Sequence, residues 1–273
     1  MFCSVFHSTA QQTFPVNGVA DQRHTTYAFS QAKIFIDYKT TIDSAVILVR
    51  DGKILDVGKN ISIPSAAFVI DIKGKYIYPS FIDLDSDYGM PEVKKSRSNE
   101  ERGPQFLSNT KGAYNWNQAI RPETNASSLF SADNKKAEEM RKLGFGTLLI
   151  HQHDGIARGT SALVTLGTAN ENELILREKA AAHYSFNKGT STQDYPSSLM
   201  GAIALLRQTY YDSQWYSSGG NKTEANFSLD ALNKLQNLPQ IFEAGDKLNE
   251  LRAARLGSEF NVKYIIKGNG DEY

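Results

Sequence analysis

Residues 70–89 read IDIKGKYIYPSFIDLDSDYG, and this stretch decides the fold. Tyr76, Ile77 and Tyr78 form a short strand-like run that Pro79 ends, because proline brings no N–H to a ladder. A second apolar run, Phe81-Ile82-Asp83-Leu84, follows. Asp85 and Asp87 come next, with Gly89 just beyond. Alternate residues of a strand point the same way, so a continuing strand aims both carboxylates at one cation; the rival reading of Asp-x-Asp after a strand is turn and cap chemistry without an ion. The pattern upstream of this stretch is β-structure, and the pattern downstream alternates helix and strand.

Upstream, Ala28, Ala32, Ile34 and Ile36 alternate with polar residues and predict a strand. Residues 40–44 turn the chain. Residues 45–50 and 54–57 predict two more strands around Asp51-Gly52, a hairpin turn in which glycine accepts positive φ. Residues 67–72 predict another. Together they predict a small β-sandwich over residues 27–75, too small to stand alone.

Downstream, residues 76–273 begin with a stretch, 90–132, that has no clear period. A loop of that length reads as functional or lid-like. Its Lys94-Lys95-Ser96-Arg97 and Glu100-Glu101-Arg102 cluster reads as solvated surface. Asp133 or Ser131 then caps a predicted helix over 134–143, which Gly144 ends. Strands are predicted over 146–151, 161–166, 174–176, 183–186, 240–243 and 262–266. Helices are predicted over 199–215, 229–235 and 247–256. In the 199–215 helix, Met200, Ile203, Ala204 and Arg207 share one helical spacing, and Leu206, Tyr210 and Tyr211 another. Helices joining strands predict an α/β fold with a parallel sheet or barrel.

The chain has 273 residues, 40% of them hydrophobic, enough for one large domain or two smaller ones. Thirty basic residues balance thirty acidic ones, so net charge gives no case for nucleic acid or an anionic membrane surface. No apolar run approaches the length of a transmembrane helix. Cys3 is the single cysteine, which excludes an internal disulfide and a cysteine-based zinc site. Residues 1–26 read as a signal-peptide remnant and linker: Met1-Phe2-Cys3-Ser4-Val5-Phe6 is apolar, and Ser8-Thr9-Ala10 offers the small residues of a cleavage site. That predicts an exported protein, periplasmic or extracellular. A plain cytosolic N-terminus is the rival reading.

Residues 27–89 resemble the N-terminal part of the amidohydrolase superfamily, in particular the imidazolonepropionase-like metal-dependent hydrolases. The resemblance rests on Val46-Ile47-Leu48-Val49-Arg50-Asp51-Gly52-Lys53-Ile54-Leu55-Asp56-Val57-Gly58, on Ile70-Asp71-Ile72-Lys73-Gly74-Lys75, and on Pro79-Ser80-Phe81-Ile82-Asp83-Leu84-Asp85-Ser86-Asp87. More weakly, residues 195–215 and 238–273 resemble stretches of large exported members. The resemblance implies a (β/α)8 TIM-like barrel carrying a composite β-sandwich. It also implies a divalent metal, zinc in the family, and hydrolysis of an amide or cyclic amide C–N bond in a small-molecule or peptide-like substrate. The family completes its sandwich with strands from the C-terminus, and a whole barrel takes about 200 residues or more. The expectation is therefore a partial barrel: the N-terminal fragment of a larger protein, partnered by its own C-terminal remainder and inactive alone.

Two departures from the family pattern matter. Asp85 and Asp87 stand where the family carries a histidine pair, and carboxylates suit magnesium or manganese as well as zinc. Glu243 stands where a relative carries a histidine ligand, and Lys267 and Asn269 follow the last predicted strand, again without histidine. The alternative metal pair is His151 and His153, followed by Asp154, directly after the 146–151 strand. Three readings of that pair stay open: active-site residues touching substrate or metal, polar loop residues, or the primary metal pair. His183 reads as structural, beside Tyr184 and Phe186. The lead function is a metal-dependent hydrolase. The alternative is a degenerate relative that keeps the scaffold for binding or assembly. A third reading, a carbohydrate surface, uses Tyr114, Trp116, Trp215 and Tyr216.

Overall fold

A computed structural model describes residues 24–94 and 104–270. The apolar N-terminal segment and most of the charge cluster lie outside the described residues. The chain divides into two units, Met1–Pro79 and Ser80–Tyr273.

The first unit is one five-stranded sheet rather than the expected sandwich. It comprises β1 (Tyr27–Phe35), β2 (Thr41–Arg50), β3 (Lys53–Gly58), β4 (Phe68–Asp71) and β5 (Tyr76–Ile77). The order is β3-β2-β1-β4, with β2 antiparallel to β1 and β3. The first half of β1 pairs in parallel with β4, and Lys33 and Ile34 pair with β5. That pairing carries the first unit past residue 75 to Pro79. Strand β2 starts four residues before its predicted onset, because the turn is completed earlier: Asp37 Oδ1 accepts from Lys39 N and Thr40 N, both at 2.7 Å. Asp51 and Gly52 both take positive φ, 51° and 71°, the geometry a two-residue hairpin needs. Ala32, Ile34, Ala45 and Ile47 form the buried seam.

The second unit runs β6 (Phe81–Ser86), α1 (Ala126–Leu129), α2 (Asn134–Lys142), β7 (Phe145–Ile150), β8 (Ala157–Thr160), β9 (Ala162–Thr165), α3 (Glu171–Leu174), β10 (Ile175–Arg177), β11 (Ala182–Ser185), α4 (Leu199–Ser217), α5 (Phe227–Leu235), β12 (Gln240–Glu243), α6 (Lys247–Phe260) and β13 (Tyr264–Lys267). The strands form two four-stranded sheets, β10-β9-β7-β6 and β13-β12-β11-β8. The pairs β6–β7, β11–β12 and β12–β13 are parallel, as alternating helices and strands predict. The pairs β7–β9 and β8–β11 are antiparallel. The described strands close no barrel.

Sequence explains the helix ends. Asp133 Oδ1 accepts from Lys135 N at 3.0 Å and Lys136 N at 3.1 Å, and Gly144 turns the chain at φ 96°. Ser198 Oγ accepts from Gly201 N at 3.2 Å at the start of α4. The buried stripe of α4 is Ala202, Leu205, Leu206, Thr209, Tyr210, Ser213 and Tyr216. Met200, one of the predicted helical set, is 80% exposed, so the stripe turns away from that set. Tyr184, Leu205, Leu206, Leu232, Phe242 and Leu256 centre the larger core.

The described part of the 90–132 stretch is pinned rather than lid-like. Asn117 Nδ2 donates to Tyr195 O at 2.8 Å, and Gln193 Nε2 donates to Phe106 O and Trp116 O at 2.7 and 3.0 Å. Ala119 and Ile120 lie in the core. Backbone polar groups, satisfied by two buried amides, replace periodicity here. The four aromatics of the carbohydrate reading each have local partners. Tyr114 packs on Phe227, Trp116 stacks on Tyr195, Trp215 lies over Gly220, and the Tyr216 hydroxyl accepts from Asn226 N at 3.1 Å.

Candidate metal centre

The second unit brings Asp85, His151 and His153 together, with one ligand atom from each lying within 4.8 Å of the others. Asp85 sits near the end of β6, and His151 follows β7 directly. Parallel pairing sets these two ends side by side, and His151 N donates to Ser86 O at 3.1 Å to lock them. Asp85 Oδ1 lies 2.8 Å from His151 Nε2 and 3.2 Å from His153 Nε2. The two imidazoles meet edge to face, with centroids 3.9 Å apart.

Asp87 does not join the group. Strand β6 ends at Ser86, and its register with β7 shifts between Asp83 and Ser86. Side-chain alternation therefore stops before residue 87, which is exposed. Glu243 lies nearby at the end of β12 but outside the three-ligand group. Its carboxylate is taken by protein cations: Lys267 Nζ donates to Oε1 at 3.0 Å and Arg158 Nη1 to Oε2 at 2.5 Å. Asp154 is committed elsewhere. Its Oδ1 accepts from Thr190 N at 2.6 Å, and its Oδ2 accepts from Thr190 Oγ1 at 2.7 Å and from Arg121. That clamp leaves it 5% exposed, so Asp154 holds the loop after His153 in place.

Sequence reasoning did not place three neighbours in the site. His183 on β11 stacks on His151 with ring centroids 3.7 Å apart at 19°, and it is 3% exposed. Lys267 at the end of β13 donates to Asp85 Oδ2 as well as to Glu243. In the aligned strands Ser185, Glu243 and Lys267 are register partners, which places the lysine and glutamate side by side. Arg158 on β8 completes the row, with Nε donating to Gly155 O at 3.1 Å. The available signal was position: Glu243 and Lys267 both close strands, the place where sites gather in α/β folds.

The electrostatics follow from burial and pairing. Burial alone raises the Asp85 carboxyl, but hydrogen bonds from His151, His153 and Lys267 outweigh it and hold Asp85 far below the usual carboxylate range. Glu243 is also raised by burial, and Arg158 and then Lys267 reverse that to a net lowering. Burial opposes the charge of Lys267, and its two carboxylate partners overcome it and raise its pKa. Burial lowers His151 despite Asp85, and it lowers His183 further. Burial therefore favours the neutral form of His151 and His183, the form in which histidine binds metals. His151 Nδ1 and His183 Nε2 are buried without a hydrogen-bond partner among the described residues.

No family model matches the sequence, and no curated protein matches it. Among solved structures, an amidohydrolase from Thermotoga maritima MSB8 aligns with TM-score 0.66 and 20% identity over 88% of this chain. This chain spans 63% of that protein. A prolidase complexed with N-methylphosphonate-L-proline aligns at TM-score 0.37 and 13% identity, covering 85% of this chain and 59% of its own. A further amidohydrolase aligns at TM-score 0.36 and 16% identity over the same shares. These last two scores are too low to carry weight. The Thermotoga likeness shows a shared mixed α/β fold.

Proposed function

We propose that the second unit carries the centre of a metal-dependent hydrolase acting on an amide or cyclic amide C–N bond. One divalent cation would be held by Asp85, His151 and His153. The observation that carries this reading is the convergence of two imidazole nitrogens on one carboxylate oxygen, at 2.8 and 3.2 Å. A donor set of two nitrogens and one oxygen fits zinc with an open position for substrate. A cation bound there supplies Lewis acidity toward a scissile carbonyl.

The chain's own residues would do the rest. Asp85 stays ionised at all ordinary pH because three donors hold it so. His183 backs the face of His151 and fixes its plane. Lys267 offers three N–H donors, of which Asp85 and Glu243 take two. The third suits the oxygen of a substrate carbonyl as negative charge develops on it. Arg158 and Lys267 together cancel the charge of Glu243, which would otherwise repel that oxygen.

A second reading, a degenerate member that binds without catalysis, is favoured by one feature. Asp85 and Glu243 are both already held by protein cations, so neither stands free as a general base. Metal analysis separates the two readings. After dialysis against zinc or manganese, the hydrolase reading expects about one equivalent of metal per chain, lost in a His151→Gln/His153→Gln variant. A folded wild-type protein that retains no metal supports the binding module instead.

A further inference from the structure

Beside the Asp85 centre lies a cavity of about 1020 Å³, at the upper end of the range for small-molecule sites. Arg158 and Glu243 form part of its wall, so it adjoins the proposed metal centre. Phe186, Tyr195 and Leu199 give it an apolar side. Among the described residues, its spare hydrogen-bonding capacity is mostly donor. Arg158 is 5% exposed; its Nε and Nη1 are bonded, and no partner meets Nη2. Lys188 spends one N–H on Gln193 O at 2.7 Å and has two more. The opening turn of α4, a 19-residue helix, also lines the cavity. Its first amide groups beyond Gly201 N have no side-chain cap, and a helix start of this length favours negative charge.

Two carboxylates also line the cavity. Glu243 is covered by Arg158 and Lys267, and Asp194 is exposed and accepts from Gln105 N at 2.6 Å. The polar groups of this wall that remain free to meet a ligand anion are therefore Arg158 Nη2 and the half-buried Lys188 ammonium.

We infer that this cavity takes the carboxylate end of an N-acyl amino acid or short peptide, with Arg158, Lys188 and the start of α4 as its anion contacts. The aromatic wall would hold the side chain next to that carboxylate, and the acyl C–N bond would face Asp85 and the histidines. This rests on the hydrolase reading for the scissile bond, but the binding step does not need the metal. A buried Arg–carboxylate contact is a charge-assisted hydrogen bond, among the stronger polar contacts a ligand makes.

The test uses N-acetyl-L-leucine and its primary amide, titrated calorimetrically into the protein in excess chelator. The inference expects the acid to bind about tenfold or more tightly than the amide, as one charge-assisted contact allows. Lys188→Gln should reduce that preference severalfold, and Arg158→Gln should abolish it. Lys188→Gln serves as the control that leaves the Glu243 pair intact if Arg158→Gln fails to fold. Equal binding of acid and amide, no binding of either, or a preference untouched by Lys188→Gln in folded protein would overturn the inference. Because no metal is present, each of these outcomes is distinct from failure of the metal centre.

Discussion

The rings of His151 and His183 lie nearly parallel, 3.7 Å apart, although 32 residues separate them in the chain. His183 comes from β11, in the sheet that does not contain β7, so this stack joins the two sheets of the second unit. Its Nε2 has no partner among the described residues, so the ring acts there as a flat, neutral wall. His183→Phe should therefore keep the stack and change metal affinity by less than about threefold, under ~1 kcal/mol. His183→Ala should cost about 2–4 kcal/mol of stability, the usual price of emptying a buried ring site. Thermal melts and zinc titration of the two variants check this. A phenylalanine variant that loses metal as completely as the alanine one would make His183 a ligand instead.

Lys267 sits between two carboxylates that a divalent cation would also attract. Lys267→Met removes one positive charge next to Asp85 and should tighten divalent binding by roughly tenfold, on the order of 1.4 kcal/mol. The lysine is 36% exposed, so solvent screens its pairs and the stability loss should stay near 1 kcal/mol. Calorimetric metal titration of the variant decides it, and weaker binding would contradict this account of the lysine.

Two glycines with the same φ should behave differently. Gly159 and Gly245 both sit at φ 86°. A Cβ on Gly159 would stand 2.0 Å from Thr124 O, a backbone atom that cannot swing away, whereas nothing lies within 4 Å of one on Gly245. Gly245→Ala should cost about 1–2 kcal/mol, the left-handed penalty alone. Gly159→Ala should cost well over that and displace its neighbour Arg158. Denaturant melts compare the two, and equal losses would refute the contact.

Three phenols set an alkaline limit. Burial raises Tyr184, Tyr210 and Tyr264 above the ordinary tyrosine value, and Tyr210 and Tyr264 share a hydroxyl contact. An unfolded tyrosine loses its proton near pH 10, while these folded ones keep theirs. The folded state then holds more protons than the unfolded one, so stability is full below about pH 10 and falls above it. The slope is at most ~1.4 kcal/mol per pH unit for each phenol. Urea melts at pH 8, 9.5 and 10.5 should show the fall, and Tyr210→Phe should flatten it. A pH-independent midpoint across that range would count against buried phenols.

Sequence patterns located most strands and helices because periodicity, caps and the Asp51-Gly52 turn are local signals. Strand β12 falls where it was predicted, over residues 240–243. Strand β9 falls on the predicted 161–166 run, but its antiparallel pairing with β7, like strand β8 and its pairing with β11, escaped, because a strand's direction depends on which neighbour it meets and no local residue records that. The site was half legible. Asp85, His151 and His153 could be named, but the exclusion of Asp87 depends on a strand ending at Ser86. Glu243 was visible as a strand-end carboxylate, while its neutralisation by Arg158 and Lys267 arises from register between β12, β13 and β11. His183 looked structural beside its apolar neighbours; only the packing of two sheets puts it against His151.

The most direct measurement of the central claim is anomalous scattering at the zinc edge from crystals grown with zinc. The account predicts a single peak in the second unit, about 2.0–2.2 Å from Asp85 Oδ1 and from the Nε2 atoms of His151 and His153. A peak elsewhere, or a well-ordered centre with Lys267 on Asp85 and no anomalous density, would contradict it.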